Sequence, residues 1–143
     1  MSQRTPMDLA LRSLSRQAYS RCKIITILNR AGFDQDQIDE CIMRLENWGY
    51  LNDREYGIGR IATLQARFKS RNYVVGDLEL QGLTAELIRE LLTEFYPEEK
   101  ELEIARRLLQ KKPGKRSKGY GFLVRAGFSE NTVQHCFPEE YPT

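Results

Sequence analysis

Histidine occurs once in the 143 residues, tryptophan once and cysteine three times. A structural zinc site needs four ligands, usually paired Cys or His, and Cys22, Cys41 and Cys136 form no C-x-x-C pair. His135 precedes Cys136, but neighbours on a helix point ~100° apart and do not converge on one ion. Neither a metal site nor a Cys–His nucleophile is expected there. The odd number of cysteines argues against a disulfide framework, so Cys41 and Cys136 read as small apolar core residues. The chain also lacks a Gly-rich phosphate loop, an H-E-x-x-H pair and a G-x-S-x-G elbow. The expectation is a protein that is not an enzyme and has no catalytic residues, metal or cofactor.

Long apolar runs are missing too. Nothing approaches the ~20 residues of a membrane span, and MSQRTPMDLALRSLSRQ has no signal-peptide core or cleavage site. A cytoplasmic protein without membrane contact is the reading. Charge of one sign is not in excess: 22 Lys plus Arg face 20 Asp plus Glu, for a net +2. No whole-molecule field draws in a polyanion, so any such binding must be local.

What the sequence does contain is an internal repeat. RAGFDQDQIDECI starts at Arg30, QGLTAELIRELL at Gln81 and RAGFSENTVQHCF at Arg125. Two residues after Gly32, Gly82 and Gly127 stand Asp34, Thr84 and Ser129, side chains suited to cap a helix N-terminus. Gln37 can close a capping box with Asp34. Apolar residues then follow at helical spacing: Ile38, Cys41, Ile42 and Leu45; Ile88, Leu91, Leu92 and Phe95; Val133, Cys136 and Phe137. Before each glycine a second, shorter stripe runs through Ile24, Ile25 and Leu28, through Val74, Val75 and Leu78, and through Gly119, Tyr120 and Leu123. These predict helices ending at a left-handed glycine. Val74 and Val75 favour strands locally, but their match to Ile24 and Ile25 makes helix the better reading.

A helix also precedes each pair. Leu9, Leu11 and Leu14 mark a short one. Asn52 and Asp53 can cap another, carrying Ile58, Ile61, Leu64 and Phe68. Pro97 with Glu98, Glu99 and Glu101 opens a third, which Lys111 and Lys112 close before Pro113 and Gly114. The fold class is therefore all-α, with three tandem three-helix repeats in an elongated array free to curve. The units span residues 1–49, 50–96 and 97–137, followed by a tail at 138–143. Each is near the lower size limit for independent stability, so neighbours should stack.

Local charge then becomes informative. Residues 101–143 hold eight cations against five carboxylates, with Lys111, Lys112, Lys115, Arg116 and Lys118 close together. Arg60, Arg67 and Arg71, spaced by seven and four, would share one face of the middle unit's first helix. Either group could contact phosphates or an acidic protein face. The plainer alternative is a basic helix end and a solvated flank. Tyr19, Tyr50, Tyr56, Tyr73, Tyr96, Tyr120 and Trp48 recur near the predicted helix junctions. Stacking on bases is open to them, but closing the core beside each turn is the favoured reading.

ALRSLSRQAYSRCKIITIL, followed by GF, a capped helix and MRLENWGYLNDREYG, resembles the RecX family of bacterial recombination regulators. The distinctive parts are Tyr19-Ser20, the junction Gly49-Tyr50-Leu51-Asn52-Asp53 with Tyr56, and the continuation through Leu78, Gly82, Leu83, Ile88 and Leu91. Arg71-Asn72, Gly57 and Gly119 depart from the family pattern. The resemblance implies three tandem three-helix repeats and a monomeric, non-catalytic modulator. It would bind the RecA recombinase filament on single-stranded DNA and inhibit its ATPase, strand-exchange and coprotease activities. Arg60, Arg67, Arg71, Lys111, Lys112, Lys115, Arg116 and Lys118 are the candidate contacts. A helical DNA-binding module acting without recombinase is the competing reading, although the near-zero net charge speaks against strong nonspecific binding.

Overall fold

The structure, a computed structural model, describes residues 5–111 and 119–140. All regular structure among them is helical: α1 (Pro6–Arg16), α2 (Arg21–Arg30), α3 (Gln35–Asn47), α4 (Asp53–Ala66), α5 (Arg71–Leu80), α6 (Ala85–Phe95), α7 (Glu98–Lys111), α8 (Gly119–Arg125), α9 (Glu130–Cys136) and a 3₁₀ turn at Pro138–Glu140. The helices fall into threes. In each group the first and third pack together, and the middle helix packs on the third.

Local chemistry sets the boundaries. Thr5, Ser20, Asp34, Asn52, Ser70, Thr84 and Ser129 each accept a first-turn amide through the side chain, with capping boxes at Thr5 and at Asp34 with Gln37. At the other end, Gly32, Gly82 and Gly127 have φ of +91°, +85° and +89°. Each closes a Schellman turn: Phe33, Leu83 and Phe128 donate back to Leu28, Leu78 and Leu123, the last buried residues of the middle helices. One amide–carbonyl pair thus stops each helix and turns it toward the next N-cap.

The repeat register coincides with the core. Ile24, Val74 and Gly119 are buried at one position of the middle helices, and Leu28, Leu78 and Leu123 at the next. The departures at glycine have a steric reason. A Cβ on Gly57 would lie 2.4 Å from Leu91 Cδ1, and one on Gly119 2.4 Å from Phe137 Cζ. Large side chains from the third helices occupy that space instead. On α1 Ala10 is fully buried and Leu9 and Leu14 pack against the same cluster, whereas Leu11, the third leucine of the expected stripe, is exposed.

Two apolar clusters hold these helices. One belongs to α1–α3 with Leu51, and the other runs without a break from Ile61 through Leu91 and Ile104 to Val133. The second and third units therefore share a core.

The junctions between units are built twice on one plan. Ser20, Arg21 and Cys22 open α2, and Ser70, Arg71 and Asn72 open α5. Ser20 Oγ donates to Gln81 O at 2.6 Å, and Arg21 N to Asp53 Oδ1 at 2.8 Å. Cys22 lies where a Cβ on Gly82 would come within 2.3 Å. At the next junction, Arg71 N donates to Glu101 Oε2 at 2.8 Å and Asn72 Nδ2 to Gly127 O at 3.1 Å. Ser70 Oγ is 3.0 Å from the site of a Cβ on Gly127. Gly82 and Gly127 therefore serve both a left-handed turn and a close approach. Gly32 occupies the same turn with open space around it.

Candidate functional site

The expected row of Arg60, Arg67 and Arg71 on one helix does not form. Helix α4 stops at Ala66, Arg67 is its C-cap and Arg71 begins α5. The stop comes from a Schellman turn with Phe68 at the left-handed position, φ +60°, where Phe68 N donates to Gln65 O and Lys69 N to Leu64 O. No glycine marks it, so the helical pattern runs on through Phe68 in the sequence.

Arg60 and Arg71 are tied into the fold. Arg60 donates from Nε and Nη2 to the two carboxylate oxygens of Asp77, both at 2.8 Å. That hydrogen bond raises the guanidinium pKa further above its ordinary value and fixes α4 against α5. Arg71 donates through Nε to Tyr96 O at 2.7 Å, while Tyr96, fully buried, donates its hydroxyl to Lys69 O at 2.6 Å. Glu101, read from the sequence as a dipole partner, is 0% exposed. Besides Arg71 N it accepts from Ser129 N, Ser129 Oγ and Thr132 Oγ1 at 3.2, 2.8 and 2.6 Å. A buried carboxylate needs such a full set of donors. It joins the second unit to the third.

Arg67 and Lys111 are brought together in a cleft of about 650 Å³ between those two units. Lys69 and Arg125, which the sequence gave no reason to single out, complete its charged lining. Lys69 Nζ lies 4.6 Å from the Tyr73 ring centroid and Lys111 Nζ 4.9 Å from that of Phe68. No carboxylate lines the cleft among the described residues. Lys112, Lys115, Arg116 and Lys118 lie outside the described residues.

The equivalent space between the first two units is of a different character. Its volume is about 430 Å³, and it is lined by Gln17, Glu55, Tyr56 and Arg60, among others. Both clefts sit between the turn joining the first two helices of one unit and the first helix of the next. Glu55, and Asp77 on Arg60, neutralise the earlier one.

Aromatics also divide against expectation. Tyr96 closes the core, but Trp48, Tyr50 and Tyr73 are 52%, 61% and 46% exposed. Trp48 and Tyr50 meet edge to face with centroids 6.4 Å apart, and Arg44 lies 4.8 Å over Trp48. Both flank Gly49, which takes φ +79°. His135 Nδ1 is 2.7 Å from Asn131 O, and burial pushes the Cys136 and Cys41 thiols up, away from the thiolate a nucleophile requires. The described residues include no group of three His, Cys, Asp or Glu able to hold a metal, and no helix long and apolar enough to cross a membrane.

Stacked three-helix units with a charged seam define an all-α, helical-repeat protein. Residues 7–45 match the family model described as "RecX, first three-helix domain". Proteins named "Regulatory protein RecX" align along most of the chain. That of Chlorobium phaeobacteroides is 29% identical, covering 92% of this chain and 91% of the relative. That of Syntrophotalea carbinolica is 28% identical, covering 92% and 93%. The alignment with the Caldanaerobacter subterraneus protein, 29% identical, covers 72% of this chain and only 52% of the relative, so this chain spans about half the length of some relatives. The crystal structure of RecX from Lactobacillus salivarius has the same fold, with a TM-score of 0.84 at 22% identity over 94% of this chain and 93% of that one. The chain belongs to the RecX family.

Proposed function

We propose that the protein regulates the RecA recombinase without catalysing a reaction of its own. It binds the RecA filament on single-stranded DNA as a monomer in the cytoplasm and suppresses ATP hydrolysis, strand exchange and coprotease activity. The repeated junction carries this reading. A filament presents the same surface at regular intervals, and units joined twice by the same contacts present their own surfaces at a regular offset. Multivalent docking of this kind strengthens binding without requiring any strong single contact. The naming of the relatives as regulatory proteins of the RecX family supports this assignment.

The units at 1–49, 50–96 and 97–137 are the proposed modules. Arg67 and Lys111, with Lys112, Lys115, Arg116 and Lys118, are the proposed filament contacts. Arg60 and Arg71 act on them through the fold.

The test is an ATPase assay with the cognate recombinase on single-stranded DNA. Substoichiometric protein should lower the steady-state rate several-fold, and Arg67→Ala with Lys111→Ala should need more protein for the same effect. An unchanged rate at equimolar protein and moderate salt refutes the assignment.

A further inference from the structure

We infer that the cleft between the second and third units binds a single strand of nucleic acid directly, through its phosphodiester backbone and one or more bases. Three independent observations converge there.

The first is electrostatic. Arg67, Lys69, Lys111 and Arg125 line one concave space with no carboxylate among its described lining residues, and none of the four makes an ion pair with a described carboxylate. In a chain of net charge +2, four unneutralised cations around one cavity are a local concentration. Low-dielectric walls focus such a field on a polyanion.

The second is the comparison within the molecule. The cleft at the same place in the preceding junction carries Glu55 and the Asp77-bound Arg60. The repeat geometry alone therefore does not require a basic lining.

The third is the aromatic component. Tyr73 remains 46% exposed while Lys69 occupies one face of its ring. An exposed ring backed by a cation offers a stacking platform for an unpaired base. The bases of a duplex are already stacked, which selects a single strand. Phe68 adds to this. Four other turns of the same type carry glycine, whereas a left-handed phenylalanine is strained. Its ring packs on the core beneath Lys111 and forms the floor of the cleft.

The proposal goes beyond recombinase regulation and is tested without recombinase. Fluorescence anisotropy of a labelled oligothymidylate is measured with the full chain over a series of salt concentrations. Binding should weaken with salt, by about −0.7 in log–log slope for each phosphate neutralised. Lys69→Gln with Lys111→Gln should reduce that slope by about 1.4. Tyr73→Leu should weaken binding about tenfold and leave the slope in place. Circular dichroism checks that these exposed substitutions retain helicity. If either variant proves unfolded, Arg67→Gln with Arg125→Gln replaces it, with the same slope change expected.

No binding by the wild type would overturn the inference. So would variants that bind like the wild type, or a duplex bound as well as the single strand. Polyglutamate competing equally with oligothymidylate, insensitive to Tyr73→Leu, would instead assign the cleft to an acidic protein segment. Loss of filament inhibition with intact strand binding, or the reverse, separates this site from the proposed regulatory role.

Discussion

The backbone amide of Arg71 lies 2.8 Å from Glu101 Oε2, so the middle helix of the second unit is held by a carboxylate in the first helix of the third. Fifty residues earlier, Arg21 and Asp53 repeat the contact at 2.8 Å. The two differ in surroundings. Asp53 is partly exposed, whereas Glu101 is fully buried and receives three further donors.

Replacing Glu101 should therefore be expensive. Glu101→Ala leaves the amides and hydroxyls of its four hydrogen bonds without an acceptor in a dry site and should lower unfolding free energy by about 3–5 kcal/mol. Glu101→Gln can keep its oxygen toward Ser129 and Thr132 but turns an NH₂ toward the Arg71 amide. About 1–3 kcal/mol is expected. Urea unfolding of the two variants measures both losses, and faster exchange of the Arg71 amide in Glu101→Gln locates the defect.

The glycine turns offer an internal control. Gly32→Ala and Gly82→Ala both force alanine into φ near +90°, which costs about 1–2 kcal/mol. Only at residue 82 does the new methyl meet a neighbour, with Cys22 Cβ at 2.3 Å. Overpacking typically adds about 1–3 kcal/mol. Gly82→Ala should be the less stable variant by that margin in thermal or urea unfolding. Equal losses would mean that the first junction yields freely.

Much of the fold was legible because its signals are local. A glycine, an N-cap two residues on and apolar residues at helical spacing fall within one window, and they mark the turn between the second and third helices of each group. The junctions pair Ser20 with Gln81 and Arg71 with Glu101, residues whose types suggest only caps and solvated charge. Their partners are fixed by stacking. The same blindness affected the arginines. Spacing placed Arg60, Arg67 and Arg71 on one face, but a helix stop without glycine separated them, and Asp77 and the Tyr96 carbonyl engaged two of the three. The cleft gathers cations from three separate stretches of chain. Only Arg67 and Lys111 among them stood out beforehand.

Alkaline pH should loosen the region around Tyr96. Its burial, reinforced by nearby Glu101, raises the phenol pKa well above 10. The unfolded chain loses this proton near pH 10 while the native state keeps it, so the unfolded state binds fewer protons and stability falls as pH rises. Between pH 10 and the higher native value the slope approaches about 1.4 kcal/mol per pH unit. Comparing Tyr96→Phe with the wild type at pH 8 and pH 11 isolates the contribution. The phenylalanine variant is expected to be less stable at pH 8, through its lost bond to Lys69 O, and less sensitive to alkali.

One apolar cluster spans the second and third units, whereas to the cluster of the first the second contributes Leu51. The first seam therefore rests on the buried Ser20 hydroxyl, the Arg21 amide and the close approach of Cys22 to Gly82 more than on shared apolar surface. The two seams of the stack are thus held by different forces.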